Sequence, residues 1–199
     1  MGRHSLADQR KPEILEHFYQ VLIKEGLQGA SIAKIAKHMG VNPSLLTHYF
    51  KSKEEMVIEL LELFFARYND AFIIKIQKIH DPEKRFDTLL DTFFGVEWDD
   101  LMDTSAFYAC FYIGFRNKRA AQSIKLAFSR LKEFVCQELE LAVKAGILKE
   151  IDVEMTADLI ISIQEGISFY KCASGDNERT KIMDRFLVAK AKKMLKKVP

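Results

Sequence analysis

The 199-residue chain is predicted to be all-α, and three observations predict it. Of its four prolines, Pro12, Pro43 and Pro82 each precede a helix-like pattern, and Asn42-Pro43 and Asp81-Pro82 have the order of an N-cap followed by a first helical residue. No stretch keeps a period-two alternation, and no Asn-Gly or Asp-Gly pair marks a hairpin. Apolar residues instead recur at intervals of three and four, the spacing of an amphipathic helix.

The first helix is expected over Pro12 to Glu25, with Ile14, Leu15, Phe18, Val21 and Leu22 on one face and Gly26 as its end. Ser31 caps a second, short helix whose Ile32, Ile35, Ala36 and Met39 form one apolar side, closed by Gly40. Asn42-Pro43 starts a third almost at once. Leu46 and Phe50 give it an inward side, and Pro43, Ser44, Thr47 and His48 an outward side without formal charge. Ser52-Lys53-Glu54-Glu55 is a capping box that opens a long helix to about Ile79. After Asp81-Pro82 come two aromatic stripes, Phe86 to Trp98 and Phe107/Phe111/Phe115, then helices over Lys118 to Ala145, Val153 to Cys172 and Asn177 to Lys197, about nine helices altogether. No repeat of 20 to 50 residues speaks for a solenoid.

Composition narrows the classes. With 48% hydrophobic and 29% charged residues the chain is ordinary globular material, and at this length folding buries roughly 70% of the unfolded surface. The longest runs free of Asp, Glu, Lys and Arg, His38–Phe50 and Thr104–Phe115, are thirteen and twelve residues, against the ~20 a membrane helix needs. No membrane partner is expected, and the polar segment before Pro12 predicts a cytoplasmic protein. Cys110, Cys136 and Cys172 show no metal or redox spacing, and the five histidines are scattered, so neither a metal nor another cofactor is expected. Glu-x-x-His pairs, nucleophile elbows and phosphate loops are absent, which argues against a helical-bundle enzyme.

Three short helices with a tight glycine turn between the second and third form a helix-turn-helix unit. A major groove about 12 Å wide admits one helix, and short polar side chains let its backbone approach the base edges. The stretch Ser31 to Glu54, SIAKIAKHMGVNPSLLTHYFKSKE, resembles the signature of the TetR family of bacterial transcriptional regulators. The resemblance implies a DNA-reading domain over residues 1–51 and a ligand-sensing and dimerisation domain over 52–199. It places Pro43, Ser44, Leu45, Thr47 and Tyr49, with the neighbouring His48, in or beside the groove of a palindromic double-stranded operator, and Ser31 and Lys53 at backbone phosphates. Thr47 stands where most members carry an aromatic residue, and Pro43-Ser44 where many have Gly or Lys, so docking geometry carries over and the base sequence does not. Charge is divided accordingly: residues 1–50 carry six bases against four acids, 179–199 eight against one, and the remaining middle is acidic. The basic tail is read either as a solvated helix end or as a second DNA contact.

Phe93 to Phe115 is dense in rings, and two readings stand, plain core or the wall of an effector pocket. Under the second, which the resemblance implies, Tyr68, Phe94, Trp98, Phe107, Tyr108, Phe111 and Tyr112 meet a small lipophilic or aromatic effector whose binding releases a repressor. Regulation by cysteine oxidation is the alternative. The resemblance further implies a homodimer through the last two helices, with Ile160, Ile163, Ile167, Met183, Phe186 and Leu187 at the interface and Gly166 allowing close approach.

Overall fold

The computed structural model describes residues 6–94, 103–175 and 178–195, with side chains placed from Arg10 onward. Its α-helices are α1 (Leu6–Gly29), α2 (Ile32–Met39), α3 (Pro43–Tyr49), α4 (Lys53–Tyr68), α5 (Ile74–Gln77), α6 (Pro82–Phe94), α7 (Thr104–Gly114), α8 (Lys118–Lys144), α9 (Val153–Ser174) and α10 (Glu178–Leu195). A π-helical turn, Asn69–Ile73, joins α4 to α5, with the Ile74 N–H donating to the Asn69 carbonyl. With this bent element counted once, the described residues form the nine helices expected.

Most helix starts follow their capping chemistry. Asn42 Oδ1 accepts from the Ser44 N–H at 2.9 Å with Pro43 behind it, and Asp81 Oδ1 accepts from Lys84 N–H at 2.7 Å. Ser52 Oγ takes the Glu55 N–H at 3.1 Å while Glu55 reaches back to the Lys51 N–H at 2.7 Å. Two expectations change. The first helix begins at Leu6 and runs through Pro12, its seventh residue, and it is broken at Gly26, φ 69°, where the sequence placed its end. The expected Ser52-to-Ile79 helix is interrupted by the π turn.

The chain divides into two compact units. The first holds residues 1–66 and 102–126, and its core gathers Ile14, Phe18 and Leu22 of α1, Ile35 of α2, Leu46 and Phe50, and Met56, Leu60 and Phe64 of α4. Phe107 and Cys110 of α7 complete it, and the Asp103 N–H donates to the Tyr19 hydroxyl at 2.6 Å. This unit is larger than the expected 1–51 segment. By themselves α1, α2 and α3 bury too little apolar surface, and α4 and α7 supply the missing side of the core.

The second unit holds 67–101 and 127–199. Phe72, Ile76, Phe86, Leu89, Leu90, Phe134, Val135, Leu139, Ala157 and Ile160 form its core. Arg85 of α6 donates through Nε and Nη2 to the two carboxylate oxygens of Glu138 on α8 and through Nη1 to the Gln77 carbonyl at 3.1 Å. Lys171 on α9 and Asp184 on α10 form a second, buried ion pair at 2.6 Å. Among the described residues no helix is long and apolar enough to cross a membrane.

Candidate nucleic-acid interface

The turn between α2 and α3 sets the geometry of the site. Gly40 adopts φ 70°, a left-handed conformation that strains any residue with a Cβ, and its N–H and that of Val41 return to carbonyls in the last turn of α2. Asn42 then caps α3, so α2 and α3 are joined by three residues, Gly40, Val41 and Asn42, with no slack. Leu46 and Phe50 are fully buried and pin the inner side of α3.

The opposite side is open. Pro43, Ser44, Thr47 and His48 are exposed, whereas Leu45 and Tyr49 are half-buried and pack against the core of the unit. Thr47 Oγ1 donates to the Ser44 carbonyl at 3.0 Å, which leaves its oxygen lone pairs and methyl outward. The His48 ring meets that of Tyr49 edge-on, centroids 5.2 Å apart. Ser31 is exposed at the start of α2, where its Oγ accepts the Lys34 N–H at 3.3 Å. Lys53 stands apart from the expected pattern, because its Nζ donates to the Leu27 carbonyl at 2.8 Å and so ties the start of α4 to the end of α1. One of its three donors is committed there.

Charge around this face is selective. Lys34 is paired with Glu25, and Lys11 bonds Glu59 at 2.6 Å beneath the Phe50 ring face. Lys37 and Lys51 are exposed at the ends of α2 and α3. Sequence reasoning passed over both, although for Lys51 a cation two residues past the end of a polar helix was the available signal.

The ring-rich residues do not form one set. Phe107, Tyr108 and Phe111 contact one another in the first unit, with Phe107 also meeting Phe64 and Phe65 at about 6 Å, and Tyr112 and Phe115 continue the ring series outward, 57% and 77% exposed. Tyr68 and Phe94 belong to the core of the second unit, where burial with Glu165 nearby pushes the Tyr68 phenol well above its ordinary range. Phe94 also lines an open groove of about 540 Å³ between α6 and α10, with Asp91, Val188 and Ala189 and the cations Lys181, Arg185 and Lys192. Trp98 lies outside the described residues, as do Lys196 and Lys197 of the basic tail.

Of the expected interface residues, Ile160 and Ile167 are spent inside the second unit's own core, and Ile163, Met183 and Leu187 pack partly against it. Phe186 is 57% exposed. Burial pushes the Cys110 thiol up to about 12, and Cys136 is also raised, mainly by desolvation. Among the described residues no group of three or more His, Cys, Asp or Glu gathers to hold a metal ion. The histidines are nonetheless less scattered than in sequence: His17 on α1 and His38 on α2 face each other.

Residues 14–60 match the family model described as bacterial regulatory proteins, tetR family, and residues 81–196 the tetracyclin repressor-like C-terminal domain. The chain belongs to the TetR family. Its helix-turn-helix and its long C-terminal helices are those of this class of regulatory proteins, which are not enzymes. Over 82 residues it is 33% identical to the transcriptional repressor NicS of Pseudomonas putida, 41% of this chain and 39% of that one. The chain spans between 39% and 64% of the length of three curated relatives it matches. The fold is similar to that of a TetR transcription regulator from Haloarcula marismortui, with TM-score 0.85 and 16% identity over 95% of this chain and 99% of the other. A transcriptional regulator from Saccharomonospora viridis in complex with choline gives TM-score 0.82 and 16% identity over 96% and 99%.

Proposed function

We propose that the chain is a sequence-specific DNA-binding transcriptional regulator, a repressor that leaves a palindromic operator when a small lipophilic or aromatic effector binds. The observation that carries this reading is the exposed, uncharged side of α3, with Pro43, Ser44, Thr47 and His48 held outward by the buried Leu46 and Phe50. Hydroxyls and an imidazole at that position suit base edges and the Thr47 methyl suits a thymine methyl, while phosphate attraction, which carries no sequence information, is left to flanking groups. Ser31, Lys37, Lys51 and the two remaining donors of Lys53 fill that second role.

One short helix reads few base pairs, and a symmetric operator is met by a two-fold protein. Support for a homodimer comes from α9, where Met155, Leu159, Ser162, Gly166 and Phe169 are exposed at alternating intervals of four and three, a seam at coiled-coil spacing. A Cβ built on Gly166 would meet nothing within 4 Å, so this side of the helix is open to a close neighbour. On α10, Ile182 and Phe186 are exposed four residues apart. The interface so read lies on the outer face of α9 and α10, one residue away from Ile160, Ile167 and Leu187.

The effector reading is supported by the ring surface around Phe107, Tyr108, Phe111 and Tyr112, by Phe94 in its groove, and by a relative of the same fold that holds choline. Coupling of roughly 1 to 3 kcal/mol between effector and operator gives a 5- to 150-fold change in affinity. The test is selection of genomic fragments by the purified protein, followed by mass spectrometry of small molecules it retains and measurement of fragment affinity with and without them. Fragments that share no palindrome, or binding untouched by every retained compound, would refute the proposal.

A further inference from the structure

His17 and His38 lie 21 positions apart in sequence, one on α1 and one on α2, and their Nδ1 atoms stand 2.9 Å apart. The ring centroids are 5.0 Å apart and the planes are inclined at 68°. Without a metal such a pair shares one proton, one Nδ1–H donating and the other Nδ1 accepting. The same distance has a second meaning. Two imidazole nitrogens bound to one divalent ion at about 2.05 Å and at a right angle are separated by about 2.9 Å, whereas the tetrahedral angle spreads them to about 3.3 Å.

From this we infer that His17 and His38 form a two-imidazole chelate for a late first-row dication of tetragonal preference, Cu(II) or Ni(II), with water at the remaining positions. Both rings are accessible to solvent, His38 exposed and His17 half-buried, so an ion can reach the pair and keep its waters. His38 sits in the last turn of α2, where the helix dipole favours a cation. Binding needs both Nδ1 lone pairs. With both rings neutral, the bridging hydrogen moves through solvent to the Nε2 of its own ring, and no net proton is released. Zn(II), which prefers a tetrahedral site, would have to open the pair by some tenths of an ångström. The ion would clip α1 to α2, which the Lys34–Glu25 contact also links, and the inference stands independently of which operator or effector the protein recognises.

The test uses the full chain carrying His4→Gln in every sample, so that an imidazole close to the N-terminus does not compete. Calorimetric titration with Ni(II) and with Cu(II) is run on this protein and on derivatives with His17→Gln, His38→Gln and, as a control, His80→Gln. Loss of second-sphere support alone costs metal sites 10- to 100-fold, so loss of a ligand should cost at least about tenfold. The expected result is one equivalent bound in the parent and in His80→Gln, weakened at least that much by either pair substitution, with a thermal midpoint raised by several degrees in excess metal. A second readout needs no variant at the pair: paramagnetic broadening of amide resonances should centre on residues flanking positions 17 and 38. Equal affinity in all four proteins, or broadening centred elsewhere, overturns the inference.

Discussion

Arg85 and Glu138 meet through two parallel hydrogen bonds, the guanidinium Nε and Nη2 on the two oxygens of a carboxylate whose residue is 3% exposed. The hydrogen bond is also the main cause that raises the Arg85 pKa above its ordinary value. A raised folded-state pKa stabilises below the unfolded value and is lost only as pH rises through the folded one, which for arginine lies beyond the working range. The pair therefore adds a constant to stability near neutrality. Breaking it from the arginine side is another matter, since the Glu138 carboxylate that survives is left buried: Arg85→Met should lower the unfolding free energy by about 3 kcal/mol in urea titration. Arg85→Met with Glu138→Leu should recover most of that. A loss under 1 kcal/mol in the single variant would show the pair to be incidental.

On α3, base reading and phosphate holding are separable. Thr47→Ala or Ser44→Ala should weaken a selected operator by about 1–3 kcal/mol and leave the unfolding midpoint and the salt slope where they were. Lys51→Ala should lower affinity for all sequences alike and reduce the slope of log K against log salt by about 1. Competition binding at several salt concentrations distinguishes them, and a sequence-independent loss in Thr47→Ala would remove the residue from base readout.

Leu159→Asp and Phe186→Asp place a charge on the outer face of α9 and α10 at sites where the single chain needs no apolar group. On the proposed interface both should fold, sediment as monomers against an expected dimer for the parent, and lose tight operator binding together with dimerisation. Ile160→Asp should instead fail to fold, because its side chain is 3% exposed. Dimers that survive both outer substitutions would place the interface elsewhere.

Cysteine chemistry should be confined to the surface. With its thiol pushed up to about 12, native Cys110 stays protonated and should resist iodoacetamide at pH 8, while exposed Cys172 is modified. The sign of the linkage follows: the unfolded state releases the Cys110 proton first, so this group costs stability as pH rises from about 9, its ordinary value, toward 12. Peptide mapping after brief alkylation checks the order, and rapid labelling of Cys110 would revive oxidation as the switch.

Much of this protein was legible in its sequence because local rules decide local structure. Asn42-Pro43, Asp81-Pro82 and Ser52 with Glu55 placed helix starts that the structure reproduces, since each cap needs only atoms within three residues. The alternation of buried Leu46 and Phe50 with exposed Pro43, Ser44 and Thr47 was likewise readable as one turn of periodicity. Where a helix has two apolar faces, periodicity is mute: α9 carries Ile160 and Ile167 on one and Leu159 and Phe169 on the other, and only packing shows which face the single chain consumes.

By itself, then, the sequence determined the helical class, the helix-turn-helix and the uncharged outer side of α3, because these follow from spacing and caps. Tertiary structure alone decided that α7 completes the core around the reading head, that Lys53 is tied to Leu27, and that His17 meets His38. Each joins residues more than twenty positions apart. Nothing in a chain's local chemistry records such distances, which are set when separate apolar faces find a common core.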